Sequence, residues 1–327
     1  MILLIAEVAG GLVLLYYGGE WLVRGAVSLA NRSGASPLVI GLSVVAAGTS
    51  APELFVSLIS VWENKPAIAI GNVVGSNIAN ILLVLGMAAL IWPVVARMSV
   101  IRWDGPVLIA ATVVFCALAS FGEIGRLAGI FMILCLGVYL WQSYRLDRKD
   151  TQARREIEEE VAELGRDYGP WWIAGLLVIG FAGVIAGAEL LVFGAAGIAA
   201  DFGFSETVIG VTLVAVGTSL PELATAVAAA RNRHTELALG NVIGSCIFNI
   251  LAIIGIVSAV RPLAVPEEIL AFDLWVMGGV TLGFIALTRA TPRLGRTIGA
   301  IMLLCYAAYI VSQFTGLSAM PAMYRPA

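Results

Sequence analysis

Charged residues are scarce in this chain. Asp, Glu, Lys and Arg make up 13% of the 327 residues, whereas 60% are hydrophobic. A soluble domain of this length needs a polar surface that so few charges cannot supply, so the composition excludes a soluble globular protein. Histidine occurs once, as His234 in a short loop, and no nucleophile–base pair accompanies the acidic residues. These absences argue against an intramembrane enzyme.

Neither the cysteines nor the first residues of the chain indicate a further kind of site or a cleaved leader. The four cysteines fall inside apolar runs without close pairing, which favours small buried residues over metal or redox sites: Cys116, Cys135, Cys246 and Cys305. The opening MILLIAEVAGG has no basic region and no clear cleavage site, so we expect it to belong to the first membrane span.

Apolar runs of about twenty residues recur along the whole chain, each long enough to cross a hydrocarbon core of about 30 Å as a helix. We therefore predict an all-α integral membrane protein with ten transmembrane helices. The predicted spans are 2–30, 37–62, 67–92, 104–121, 125–143, 171–200, 206–230, 236–259, 269–288 and 295–315.

One polar stretch, 144–169, divides the predicted spans into a first unit of five (1–143) and a second (170–327). Basic residues predict the orientation, because they collect in cytoplasmic loops. Of the 19 Lys and Arg residues, only Lys65, Arg126, Arg261 and Arg325 fall opposite to the 144–169 stretch. We therefore expect 144–169 to be a cytoplasmic linker, with both termini outside an inner or plasma membrane.

The two units repeat each other. Residues 18–86 align with 187–255 without a gap, including GTSAPEL (48–54) with GTSLPEL (217–223) and GNVVGSNIANIL (71–82) with GNVIGSCIFNIL (240–251). Five spans separate equivalent helices, and five is odd, so equivalent helices should enter the membrane from opposite sides. Inverted five-helix repeats are typical of secondary transporters, whose sites lie near the midplane. Duplication for packing alone, as in a channel, is the alternative.

Each repeat places a glutamate inside an apolar span, Glu53 in the first and Glu222 in the second. A carboxylate at that depth costs at least about 2.5 kcal/mol and needs a partner. No Lys or Arg lies at matching depth in the second, third, seventh or eighth span. The partner is therefore predicted to be a proton or a mobile cation.

A proline precedes each glutamate, at Pro52 and Pro221. Proline inside a span removes a donor and displaces a carbonyl of the preceding turn. We therefore expect broken helices with freed carbonyls around 46–49 and 215–218. Such carbonyls are tolerated in a membrane where they line a protein-buried cavity or coordinate an ion.

Oxygen donors surround these positions in the sequence. They are Thr49, Ser50, Thr218 and Ser219, followed by Asn72, Ser76 and Asn80 and their counterparts Asn241, Ser245 and Asn249. Residues four apart, such as Ser76 and Asn80, share one helix face. These side chains could simply form interhelical hydrogen bonds. Oxygen ligands without His or Cys instead select hard cations, and calcium takes six to eight of them.

The GTSAPE and GTSLPE motifs, each followed by GNVxGS, resemble the two alpha-repeats of the sodium/calcium exchangers, which belong to the cation/calcium antiporter superfamily. The resemblance covers nearly the whole chain and is to the compact prokaryotic ten-helix type. It implies ion sites between spans two, three, seven and eight, and it makes spans one and six a sliding gate. It also implies a secondary antiporter without a cofactor that exchanges sodium for calcium by alternating access.

Carried over residue by residue, the resemblance assigns calcium to Glu53, Glu222 and the backbone of Thr49 and Thr218. It assigns sodium to those glutamates, to Ser50, Ser76, Ser219 and Ser245, and to the carbonyls of Ala46 and Ala215. Several relatives have Asp where this chain has Asn249, so Asn80 and Asn249 make the site symmetric and potassium cotransport is not expected.

Proton/calcium exchange is the nearest alternative function. Members of that group typically lack the GTSxPE form of the motif. Calcium and sodium ions and the lipid bilayer are the expected partners. The sequence indicates no nucleic-acid partner and no protein partner.

Overall fold

The computed structural model describes residues 2–62, 64, 66–96, 100–147, 168–201, 215–291 and 293–314, which are almost entirely helical. The helices, some with π-helical turns, are α1 (Ile2–Ser33), α2 (Pro37–Thr49), α3 (Ala51–Trp62), α4 (Pro66–Ile91), α5 (Gly105–Ala119), α6 (Arg126–Asp147), α7 (Pro170–Asp201), α8 (Ala215–Thr218), α9 (Leu220–Arg231), α10 (Thr235–Val260), α11 (Ile269–Ala290) and α12 (Arg296–Phe314). Short strands are β1 (Val94–Val95), β2 (Glu123–Ile124), β3 (Leu263–Ala264) and β4 (Arg293–Leu294).

Eight helices in the described part are long and apolar enough to cross a membrane, and the bent pair α2–α3 would make a ninth. They fall on the predicted spans within a few residues. The seventh predicted span, 206–230, is described from Ala215 onwards, and 206–214 lies outside the described residues. Helix α6 continues to Asp147, into the predicted linker, whose residues 148–167 are outside the described part.

Burial separates central helices from peripheral ones. In the apolar stretch of α10, 83% of the residues are buried, and in that of α4, 72% are buried. In the apolar stretch of α12 only 11% are buried. Large apolar side chains such as Leu127 and Trp171 are more than four-fifths exposed on the outside of the bundle. An apolar exterior of this extent fits a lipid environment, with α4 and α10 in the protein interior.

The second predicted span is broken. Helices α2 and α3 meet at Ser50 with a bend of 42°, and Ser50 has φ −85° and ψ 8°. Its counterpart Ser219, between α8 and α9, has nearly the same dihedrals, φ −88° and ψ 3°. Pro52 and Pro221 lie in the first turn after each break, where the missing N–H has no intrahelical acceptor to lose. The predicted breaks are thus present in both repeats.

Helices α1 and α7 approach each other at backbone contact distance. Glycines recur every seventh residue on both, at Gly11, Gly18 and Gly25 and at Gly180, Gly187 and Gly194. A Cβ atom added at Gly18 would lie 2.7 Å from the amide nitrogen of Val184, and one at Gly187 would lie 2.8 Å from that of Leu15. Any larger residue would force these helices apart.

The short strands join the two repeats. Strand β1 pairs antiparallel with β4, with Val94 opposite Leu294, and β2 pairs antiparallel with β3, with Ile124 opposite Leu263. Each pair therefore contains one strand from the first unit and one from the second. The strand after α4 meets the strand before α12, and the strand before α6 meets the strand after α10.

π-Helical turns also occur at equivalent places in the two units. One pair of turns spans Asn80–Val84 in α4 and Asn249–Ile254 in α10. A second pair, Val100–Asp104 and Ile269–Asp273, lies at the start of the next span. Apolar periodicity predicts helix at these positions and does not resolve the local widening. Both asparagines predicted as ion ligands begin such a turn, and π-bulges frequently lie at functional sites.

Candidate cation-binding site

The two glutamates lie in the first turns of α3 and α9, directly after the two breaks. Both side chains are fully buried, with no exposed surface, and they are close enough to repel each other electrostatically. The N-terminal end of a helix favours a carboxylate, which explains how each can be held there. Neither glutamate forms an ion pair with a described basic residue.

The hydrogen bonding of the two glutamates is unequal. Ser50 donates to Oε1 of Glu222 at 2.9 Å, and Ser245 donates to the same atom at 3.5 Å. The other carboxylate oxygen of Glu222 has no partner among the described residues, and neither has either oxygen of Glu53. Three buried carboxylate oxygens are therefore available to a ligand.

Two threonine–asparagine contacts link the breaks to the central helices. Thr49 donates its hydroxyl to Oδ1 of Asn241 at 3.2 Å, and Thr218 donates to Oδ1 of Asn72 at 3.4 Å. Each pair joins one repeat to the other, and the two contacts are equivalent. Asn72 also donates to the backbone carbonyl of Glu53 at 3.1 Å. The sequence offered these asparagines as possible oxygen ligands of a cation. In the structure their side chains form hydrogen bonds that hold the two helix breaks.

The predicted serines and asparagines of the central helices also converge. Ser219 contacts the hydroxyl of Ser76 at 3.4 Å. Asn80 and Asn249 are fully buried, and three of their four amide atoms have no hydrogen-bond partner among the described residues. The remaining atom, Nδ2 of Asn249, donates to Asn77, which sequence reasoning missed. The residue equivalent to Asn77 in the other repeat is a cysteine, so repeat symmetry does not single out Asn77.

The two predicted alanine carbonyls lie before the breaks. Ala46 is fully buried, and its carbonyl accepts the amide of Ser50 at 3.0 Å. A cation there would use the second lone pair of that oxygen, so the carbonyl is less free than the proline argument predicts. Ala215 is the first residue of α8, and its side chain lies outside the described part.

The buried cluster thus contains unpartnered oxygens from carboxylates and amides, with hydroxyls beside them. Groups of three or more His, Cys, Asp or Glu able to hold a metal ion are absent from the described ranges. Two carboxylates with neutral oxygen donors suit a hard cation, because carboxylate and carbonyl oxygens are its preferred ligands. A buried oxygen without a hydrogen-bond partner costs free energy, so a bound cation should stabilise the cluster.

A bundle of apolar helices around such a cluster is the arrangement that a membrane protein needs in order to move cations. The model of the sodium/calcium exchanger protein family matches residues 3–145 and 172–315. The chain belongs to this family, and it is a multi-pass cation/calcium antiporter.

Similar proteins agree with this placement along nearly the whole chain. Inner membrane protein YrbG of Escherichia coli K12 is 36% identical, in an alignment that covers 92% of this chain and 94% of the length of YrbG. Sodium/calcium exchanger MaX1 of Methanosarcina acetivorans is 33% identical over 93% and 96%. The solved structure of the sodium-calcium exchanger NCX_Mj, soaked with zero Na⁺ and Ca²⁺, has a TM-score of 0.82 and 33% identity, covering 95% of this chain and 99% of that one.

Proposed function

We propose that this antiporter exchanges sodium for calcium. The observation that carries the proposal is the pair of buried glutamates, Glu53 and Glu222, which have no basic partner among the described residues. Two carboxylates neutralise one divalent cation. MaX1 and NCX_Mj are both named as sodium/calcium exchangers, which favours sodium over a proton as the second ion.

We propose that calcium binds between Glu53 and Glu222, with the carbonyls of Thr49 and Thr218 completing its ligands. Sodium would use the same glutamates together with the hydroxyls of the flanking serines. Its ligands are Ser50, Ser76, Ser219, Ser245 and the carbonyls of Ala46 and Ala215, while Asn80 and Asn249 supply central oxygens. Since Ser50 and Ser245 already point their hydroxyls at Glu222, the two ions would compete for one carboxylate.

Competition for shared oxygens also explains why exchange would be coupled. Without a cation, two buried carboxylates repel each other in a medium of low dielectric constant. Closing the site from water on both sides then costs several kcal/mol. The empty site is therefore disfavoured as the species that crosses between the two open states. Calcium or sodium removes that cost, so one ion must replace the other for the cycle to continue.

We further propose ten transmembrane helices in two inverted repeats, with 144–169 in the cytoplasm and both termini outside a plasma or inner membrane. The strand pairs support the inversion. Strand β1 precedes the fourth span and β2 follows it, so these two strands belong on opposite sides of the membrane. Strand β3, the equivalent of β1, pairs with β2, so it belongs on the side opposite to β1. The basic loops support the orientation.

Alternating access would then use α1 and α7 as the moving pair. Their glycine contacts hold them as one unit, and Phe181 of α7 packs directly against Gly48 at the break before Glu53. Movement of this pair past the breaks would open the site to one side and close it to the other.

The test is calcium-45 uptake into sodium-loaded proteoliposomes, with potassium and pH varied independently. Sodium-driven uptake against a calcium gradient is the expected result, unaffected by potassium. Vesicles loaded with choline instead of sodium are the matched control. Uptake that follows a proton gradient and ignores sodium would refute the proposal and favour proton/calcium exchange, and downhill calcium flux without sodium would indicate a channel.

A further inference from the structure

Between the serine and the asparagine of the central helices, the two repeats differ in hydrogen-bonding character at one position. Residues 77 and 246 are equivalent in the alignment, but the first is asparagine and the second is cysteine. They meet in the centre of the bundle, where the thiol of Cys246 donates to the backbone carbonyl of Asn77 at 3.9 Å. Both are almost completely buried. The two halves of the site therefore differ here in the polar groups that they bury.

The Asn77 amide has a defined orientation. Its Nδ2 donates to the sulfur of Met277 at 3.8 Å. A thioether sulfur can only accept a hydrogen bond, so the amide nitrogen must face Met277 and the carbonyl oxygen must face the opposite way. That oxygen accepts Nδ2 of Asn249 at 3.2 Å.

This contact in turn orients Asn249. Its amide nitrogen is held by Asn77, and its Oδ1 is buried without a hydrogen-bond partner among the described residues. Ser245, one turn earlier on the same helix face, donates to Glu222. The free oxygen of Asn249 thus lies on the face of α10 that carries the ion-site serine.

The other repeat has no equivalent arrangement. Neither amide atom of Asn80 has a hydrogen-bond partner of ordinary geometry among the described residues, and the side chain beside it, at the position equivalent to Asn77, carries only the thiol of Cys246. The position equivalent to Met277 is occupied by Leu108, which has no polar side-chain atom. Asn80 therefore has a weakly accepting sulfur beside it, whereas the amide nitrogen of Asn249 is held by an amide oxygen.

We propose that Asn77 is a positioning residue of the ion site, which holds Asn249 with its carbonyl oxygen toward the transported cation. Asn80 and Asn249 are equal in sequence but unequal in function, since only Asn249 is held as an oxygen donor. A rotated amide would present N–H groups, which a cation repels. Fixing the amide in advance removes that orientation and raises affinity without a direct ligand contact. This inference rests on the proposed exchange function.

The test is a double-mutant cycle on calcium affinity. Asn77→Leu removes the amide at similar volume, and Asn77→Cys introduces the residue that the other repeat buries at this position. In wild-type background, each should raise the calcium KM for sodium-driven uptake, and the Kd of detergent-purified protein, by about threefold to tenfold, the loss expected for one hydrogen bond. In an Asn249→Asp background the same changes should alter both by less than about twofold, because a carboxyl group presents oxygen in either orientation.

A packing role predicts something different. Equal losses in both backgrounds, or no loss in the wild-type background, would overturn the assignment. Either Asn77 variant that remains monodisperse is sufficient for the comparison, and Asn77→Cys preserves most of the packing. Absence of sodium-driven uptake by the unmodified protein would refute the proposed function. Sodium-driven uptake with equal losses would overturn only the role of Asn77.

Discussion

Replacing Glu53 or Glu222 by Gln removes one formal charge from the centre of the bundle and keeps the shape of the side chain. Both carboxyl groups are fully buried, and removal of one partner from a buried charge pair costs about 3–5 kcal/mol. The calcium Kd should therefore rise by about 10²- to 4 × 10³-fold. Sodium-driven calcium flux should be lost at calcium concentrations that saturate the unmodified protein.

Thermal unfolding in detergent separates this loss from misfolding. Calcium at 100 times the wild-type Kd should stabilise the unmodified protein by about 2.7 kcal/mol, whereas a variant with a 100-fold higher Kd should gain about 0.4 kcal/mol. In cation-free buffer, Glu53→Gln should be at least as stable as the unmodified protein. The carboxylate of Glu53 accepts no hydrogen bond from a described residue, so the substitution removes a buried charge that is repelled by the charge of Glu222.

Glu123→Gln is the matched control, because Glu123 is exposed in β2 and far from any proposed ligand. It should retain both the flux and the calcium-dependent stabilisation. If either buried-glutamate variant kept near-normal transport, or bound calcium as tightly as the unmodified protein, the two-carboxylate site would be wrong.

Exchange should be electrogenic, because two carboxylates balance one calcium ion whereas the family resemblance suggests more than two sodium ions per calcium. Each charge moved is worth about 2.3 kcal/mol per 100 mV, so a valinomycin-clamped positive interior should speed calcium uptake into sodium-loaded vesicles, and no voltage response would refute this. Asn249→Asp should keep transport but make it more pH-dependent, and a wild-type pH profile would place Asn249 off the site. Gly48→Ala drives a Cβ atom into the ring of Phe181 and should slow transport about tenfold, whereas Gly279→Ala fills open space and should not. A C-terminal alkaline phosphatase fusion should be active and a fluorescent-protein fusion dark, and the reverse pattern would refute the orientation.

The amino-acid sequence is sufficient to predict the class of protein, and it singles out the two glutamates that are proposed to bind the ion. Membrane spans follow from runs of apolar residues, and these are a property of the linear chain. The repeat follows from identity between 18–86 and 187–255, and it picks out Glu53 and Glu222 because a carboxylate inside an apolar span is costly unless it is used. Breaks were predictable at Pro52 and Pro221, because proline acts on its own turn. The structure describes both breaks.

The contacts of equivalent residues differ between the two repeats in a way that becomes visible only in the folded protein. Repeat symmetry predicts equal glutamates and equal asparagines, yet Ser50 donates to Glu222 while neither carboxylate oxygen of Glu53 receives a bond from a described residue. Asn77 orients Asn249 through a contact between α4 and α10, and the two residues lie 172 positions apart in the chain. Such contacts depend on how the helices cross and rotate against one another. Hydropathy and local motifs carry no record of that geometry, so the sequence difference between Asn77 and Cys246 gains its consequence only through packing.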